Sequence, residues 1–234
     1  SDLKTTNATH SGEVTGSGAL TIADNVVDEA NLKVSNSPVN GYMLTAQSGN
    51  TGGLTWAAAG GGAMEFIASS GTINNAANVS FTAFNASKYD HYQFWMQNVA
   101  PATDAVTLVC QVSTDGGSSY DSTDGNYKTD QTTSQTGLLV SKNMGNQTQE
   151  FISGTFSLFN PHSSDKFTTA SSSNMALLFS GSPSGPGGAS LDLASRHLLA
   201  TAHMTAQDVD AVRFIMTSGS IASGEIVMYG IRNS

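Results

Sequence analysis

Chemistry in this chain is most concentrated in QVSTDGGSSYDSTDGNY, residues 111–127. Ser113, Asp115, Gly117, Ser119 and Tyr120 follow a Ser-x-Asp-x-Gly-x-Ser-Tyr spacing, and Asp121, Asp124, Asn126 and Tyr127 extend it. Carboxylates, an amide and main-chain carbonyls gathered this closely are the oxygen donors that hard cations such as Ca²⁺ take. The same residue types also close tight turns, because Asp and Ser side chains bond nearby backbone amides and Gly supplies positive φ. The calcium-loop spacing ending in a bidentate Glu is absent and no flanking helices are expected. Solvated turn aspartates are therefore the preferred reading, and no metal is assigned. The tyrosines at either end of the acidic loop are candidates for ligand contact. The candidate ligand-binding set is Asp115, Tyr120, Asp121, Asp124 and Tyr127, with Trp95 from HYQFWMQ as an exposed aromatic. A Trp among polar residues stacks on a sugar ring or anchors a subunit interface, and the interface is the preferred role for Trp95.

Enzymatic readings find little support. The spacing from Ser113 approaches the Asp-box of sialidases and other β-propellers, where its role is to tie down a β-turn. A sialidase carries several copies and brings three arginines together from different blades. This chain carries one copy, and its only arginines, Arg196, Arg213 and Arg232, all lie near the C-terminus. Glycoside hydrolysis needs two opposed carboxylates, but Glu13, Glu29, Glu65, Glu150 and Glu225 stand in no recognisable aromatic context. There is no Gly-x-Ser-x-Gly elbow and no phosphate-binding glycine loop. His10, His91, His162, His197 and His203 show no metal-ligand spacing, although an oligomer axis could gather copies of His10 or His91. Cys110 is the sole cysteine and alternates with Val106, Leu108 and Val112, which marks it as a core residue rather than a thiol nucleophile. No catalytic residue and no cofactor are assigned.

The elements that must position these residues are strands. The composition has 24 Gly, abundant Ser, Thr and Asn, and only 12% charged residues, which suits short strands joined by polar turns. A net charge of −9 with nine Lys and Arg leaves no basic patch for phosphates, so nucleic acid is not an expected partner. No apolar run approaches the ~20 residues of a membrane span. The N-terminus lacks a signal-peptide plan and an initiating Met, so the chain is expected to be trimmed.

Three regions are expected. Residues 1–56 hold few, evenly scattered apolar side chains, too few for a core of their own. Such a stalk would be stable where copies wrap around one another, most simply as a trimer, with a short helix over Asp24–Leu32. Residues 57–63, AAAGGGA, read as an Ala/Gly linker. Residues 64–234 carry seven or eight strands with period-two alternation. The buried sets are Val79/Phe81/Ala83, Tyr92/Phe94/Met96, Val106/Leu108/Cys110/Val112, Ile152/Gly154/Phe156/Leu158 and Val212/Phe214/Met216, while GEIVMYGI is apolar on both faces and reads as a central strand. TSGSIASGE between the last two strands, and the turn in QVSTDGGSSY, read as hairpin turns. SGSPSGPGGAS, residues 180–190, reads as a long mobile loop. The fold class is all-β: an extended oligomeric stalk followed by an antiparallel, jelly-roll-like β-sandwich tip.

Several stretches resemble a known family. GYMLTAQSGNTGGLTWAAAGGG is similar to the junction of phage tail-fibre proteins, and VTGSGALTIADNVVDEANLKV resembles their shaft segments. NVAPATDAVTLVCQVSTDGGSSYDS, SGTFSLFNP and DAVRFIMTSGSIASGEIVMYGIR resemble the C-terminal β-domain of tail fibres and minor virion proteins. The resemblance leaves 127–149 and 162–205 poorly matched, and it marks architecture rather than a reaction. It implies a homotrimeric virion fibre, found on the tail and extracellular after release. Its distal domain would bind a host surface glycan or outer-membrane receptor, and other virion tail proteins would be its partners. The alternatives are a structural head-fibre or decoration protein without receptor duty and a depolymerase tailspike, for whose long β-helix the chain has no room.

Overall fold

The computed structural model of the 234-residue chain describes residues 14–15, 21–22, 24, 31–50, 52–58, 62–129, 135–180 and 190–232. Every regular element among them is a strand. In chain order these are β1 Val14–Thr15, β2 Thr21–Ile22, β3 Tyr42–Ala46, β4 Leu54–Ala58, β5 Met64–Ser69, β6 Ile73–Ala76, β7 Val79–Phe81 and β8 Tyr89–Pro101. There follow β9 Val106–Ser113, β10 Tyr127–Thr129, β11 Leu138–Met144, β12 Ile152–Phe159, β13 Thr169–Ser180, β14 Ser190–His203, β15 Ala211–Met216 and β16 Ile221–Arg232. Each pairing between named strands is antiparallel. The chain divides into two compact units, Ser1–Gly61 and Gly62–Ser234.

In the first unit β1 pairs with β2, and β3 with β4. Asn36 sews the second pair to the preceding segment: its Oδ1 accepts the Trp56 amide at 2.8 Å and its Nδ2 donates to the Trp56 carbonyl at 2.8 Å. Of the described residues here only Thr55 is buried, while Val39, Tyr42, Met43 and Leu44 are exposed. Polar and main-chain bonds hold this hairpin, and no extended stalk is seen among these residues. The helix expected over Asp24–Leu32 lies largely outside the described residues; Asp24 itself sits in a turn. Ala57 and Ala58, expected in the linker, instead complete β4. Their backbones pair with Met43 and Tyr42, a ladder that the small Ala side chain does not obstruct.

The second unit holds two sheets. The larger runs β10-β14-β13-β12-β8-β16-β5, with β6 also on β16, and the smaller runs β11-β9-β15-β7. Alternation works as expected on β8, where Tyr92, Phe94 and Met96 are buried and Trp95 between them is exposed. The buried faces of the two sheets share one core. Its centre is an aromatic cluster in which Phe94 and Phe156 of the large sheet meet Phe214 of the small one at ring-centroid distances of 5.1 and 5.8 Å. Phe81 of β7 joins Phe94 at 5.4 Å. Cys110 is fully buried in this core, and β16 is central, flanked by β8 and by β5 and β6. The arrangement is that of a β-sandwich.

The structure corrects four details. β15 and β16 do not form a hairpin, because they belong to different sheets. The segment between them turns a corner, with Thr217 N bonded to Thr107 O at 2.9 Å and Ala102 N to Ser220 O at 2.9 Å. Alternation reports which side of a strand meets the core, and strands of facing sheets meet the same core. Likewise the turn after β9 does not return to a neighbouring strand of its sheet; it hands the chain to β10 at the edge of the large sheet. Ala83 is exposed rather than core-facing, because β7 ends at Phe81 and Phe84 swings in against Tyr92, centroids 4.2 Å apart. The unit also has twelve described strands, β5 to β16, rather than seven or eight. The loop over 180–190 connects β13 and β14, which pair up to Ser180 and Ser190; residues 181–189 are outside the described set.

β8 carries a bulge near Asn98, whose φ is 50°. Gly224 lies opposite at φ 114°, where a Cβ would fall 2.6 Å from Val99 Cα, so β16 can pass the bulge only as glycine.

Candidate functional site

The turn that follows β9 is tied down by its own side chains. The Ser113 hydroxyl donates to Asp115 Oδ1 at 2.8 Å and accepts the amides of Asp115 and Gly117 at 3.2 and 2.9 Å. Asp115 in turn accepts the Ser119 amide on Oδ1 at 2.8 Å and the Ser119 hydroxyl on Oδ2 at 2.6 Å. These bonds, from the Ser119 hydroxyl and amide first and then from Ser113, hold the Asp115 carboxyl down to about 2. Gly116 N donates to both carboxylate oxygens of Asp210 at 3.0 Å, which fastens the turn to the residue before β15. Gly117 has φ 87°, and a Cβ there would lie 2.8 Å from both Thr82 Cγ2 and Tyr120 Oη.

Asp121 closes the second half. Its Oδ1 accepts the Thr123 amide at 2.8 Å, and its Oδ2 accepts Asn126 Nδ2 and His203 Nε2, each at 2.8 Å. Burial pushes this carboxyl up, but the bonds from His203, Thr123 and Asn126 outweigh it and leave it at about 2. His203 is fully buried at the end of β14, and its Nδ1 finds no partner among the described residues. Its ring packs against Tyr127, with centroids 4.8 Å apart and the planes tilted by 46°.

Tyr127, expected as a ligand contact, is fully buried. Its hydroxyl donates to Asp121 O at 2.8 Å and accepts Val112 N at 3.3 Å, so it braces the turn from beneath, and burial raises its phenol above the ordinary range. Aromatic spacing alone could not separate a bracing Tyr from an exposed one.

Tyr120 and Asp121 do come together, while Asp115 is taken up by the turn's own hydrogen bonds and lines no cleft with them. Ser113, Thr114, Ser119, Tyr120, Asp121 and Asn126, with Thr205 and Gln207 after β14, line an open cleft of about 350 Å³. Tyr120 is half-buried, and the Arg213 guanidinium covers one face of its ring at 4.6 Å from the centroid. Gln111 Oε1 accepts Arg213 Nε at 2.8 Å and fixes that cation in turn. Asp124 is exposed in the neighbouring turn and does not line the cleft. Trp95 lies elsewhere, on the outer face of the large sheet, where its indole donates to Gln93 Oε1 at 2.7 Å and its ring lies 5.1 Å from Tyr229.

The turn spends most of its carboxylate acceptor positions on itself. A carboxylate has about four acceptor positions, and the turn already uses three on Asp115 and three on Asp121. Little is left to ligate a cation, and among the described residues no three His, Cys, Asp or Glu gather as a metal site. Hydroxyls, an amide, a glutamine and one oriented aromatic ring remain. Thr205, Gln207, Arg213 and His203 were not foreseen; they arrive from β14, β15 and the loop between them, and no sequence signal links them to residues 113–126. Comparison with known proteins finds no match to a family model, a curated protein or a solved structure.

Proposed function

We propose that this chain is a virion tail-fibre protein that attaches to the host cell surface without catalysis, binding carbohydrate in the cleft beside Tyr120. The observation that carries the reading is the cleft itself. One aromatic ring, held by Arg213, stands beside hydroxyl, amide and carboxylate groups fixed by the turn. Sugars are recognised by this combination of an apolar ring and oriented hydrogen-bonding groups. The tip would be a jelly-roll-like sandwich, assembled as a homotrimer through the preceding stalk. The resemblance of residues 14–34 to shaft segments and of 41–62 to the junction supports this, as does the scarcity of buried side chains in the described part of Ser1–Gly61. Single contacts in so open a cleft would be weak and multiplied over three copies.

The test is binding of the full chain to an array of bacterial surface glycans, with blocking of phage adsorption as a second readout. Tyr120→Ala should weaken glycan binding at least tenfold while the thermal transition stays in place. A chain that binds no glycan and blocks no adsorption would leave a structural virion component as the better reading. Binding that ignores Tyr120→Ala would place the site elsewhere.

A further inference from the structure

The outer face of the large sheet has two features that fit each other. At one end Phe66 of β5, Tyr229 of β16 and Trp95 of β8 form a ridge, with ring centroids 6.1 Å apart for Phe66–Tyr229 and 5.1 Å for Trp95–Tyr229. At the other end an apolar hollow of about 490 Å³ lies over β13 and β14, floored by Ala200 and Ala202 and walled by Phe159 and Lys128. Pleat parity puts ridge and hollow on one side, since Tyr229 is in register with Gln93, Ser157, Ser171 and Ala200 across the intervening strands. At strand spacings near 4.8 Å the four steps from Tyr229 to Ala200 separate the two by roughly 19 Å.

The chemistry of this face selects its partner. The register rows through Tyr229 and through Trp95, across to β14, contain no Asp, Glu, Lys or Arg; Lys128 at the edge of the hollow and Arg196, in register with Met175, stand outside them. The chain as a whole carries −9, so copies repel one another over most of their surface and approach best where charge is missing. Phe66, Met64, Trp95, Phe159, Met175 and Leu198 on this face are 36–64% exposed. That amounts to on the order of 600 Å² of apolar side chain, close to the roughly 800 Å² per partner of a stable interface and at the upper end for a patch on a monomer.

We infer that this face is where copies of the chain pack together, the Phe66–Tyr229–Trp95 ridge of one copy seated in the Ala200–Ala202 hollow of another. The inference rests on the oligomer proposed above and names the surface of the tip that takes part. Cysteine trapping in the full chain tests it directly, because the native Cys110 is fully buried. Phe66→Cys and Ala200→Cys lie on strands five positions apart in the sheet, roughly 24 Å, too far for a disulfide within one copy.

The double variant should therefore give covalent oligomers on a non-reducing gel. Phe66→Asp should raise the dissociation constant at least tenfold in light scattering or sedimentation, with the thermal transition of the tip unchanged. An oligomeric wild type showing neither effect would overturn the proposed face and leave the oligomer standing, with Ser1–Gly61 as the segment that assembles it. A wild type that is monomeric at every concentration would overturn both.

Discussion

Asp121→Ala removes the acceptor of three hydrogen bonds at once, from the Thr123 amide, Asn126 Nδ2 and His203 Nε2. The side chain is 19% exposed and the His203 ring is fully buried. His203 Nδ1 already finds no partner among the described residues, so the variant leaves a buried imidazole bonded through neither nitrogen. The depression of the Asp121 carboxyl from 3.8 to about 2 by itself corresponds to about 2 kcal/mol of stability at neutral pH. Stranding a buried partner adds to this, and about 3 kcal/mol in total is expected. For a domain of this size that lowers Tm by about 6–12 °C. The sign with pH follows from the direction of the shift. The folded carboxyl titrates below the unfolded one, so its contribution is complete above about pH 4 and disappears as pH falls toward 2. The assay is urea unfolding of wild type, Asp121→Ala, His203→Ala and the double variant at pH 7, repeated for wild type and Asp121→Asn at pH 2.5. The pair should show a coupling of about 2 kcal/mol, and Asp121→Asn should flatten the acid loss. A coupling below about 0.5 kcal/mol would refute the assignment of Asp121 as the clamp of the turn.

Other expectations follow from the same geometry. Phe214→Ala takes out the ring that touches Phe81, Phe94 and Phe156 across both sheets; it should cost about 3–5 kcal/mol in denaturant unfolding, and a loss under 1 kcal/mol would mean that the sheets are held together elsewhere. Gly117→Ala combines φ 87° with a Cβ 2.8 Å from Thr82 and Tyr120, and a loss of about 1–3 kcal/mol together with weakened glycan binding is expected. Cys110 is fully buried and its thiol is pushed well up by burial, so thiol reagents should react with it only at the rate of unfolding; rapid labelling in native buffer would contradict the packing of β9.

The strongly apolar strands could be read from sequence because every second side chain is large. β8, β9, β12 and β15 put their expected large side chains into the core, and β16 adds Ile226 and Met228. β13 could not be read so, because its inward side chains include Ser172 and Asn174. Both are buried, and the Ser172 hydroxyl and Asn174 Nδ2 donate to the Val140 carbonyl at 2.6 and 3.0 Å, so a polar pattern faces the interior. β9 hides a similar feature: Gln111, which alternation places away from the core, is 2% exposed and donates to Thr136 O at 2.8 Å. Which sheet a strand joins was equally hidden, and for that reason the β15–β16 corner looked like a hairpin. In the site, all five loop residues were singled out by type and proximity in sequence; Tyr120 and Asp121 line the cleft, Asp115 holds the turn, Asp124 is exposed beside it and Tyr127 is buried beneath. Proximity does not fix direction, and Tyr127 points inward because β10 joins the large sheet beside His203.

The turn's self-sufficiency bears on how it could bind. Its carboxylates are largely spent on holding Ser113, Ser119, Thr123, Asn126 and His203 in place, so they supply rigidity rather than free charge. A rigid cleft loses little conformational entropy when a ligand arrives, so ordering the site takes little from the affinity of each contact. On the proposed reading, affinity comes from repeating this site over several copies rather than from any one of them. Adsorption should then fall much more steeply than site occupancy when a Tyr120→Ala chain is mixed into assembling oligomers. A strictly proportional fall would mean that each site acts alone.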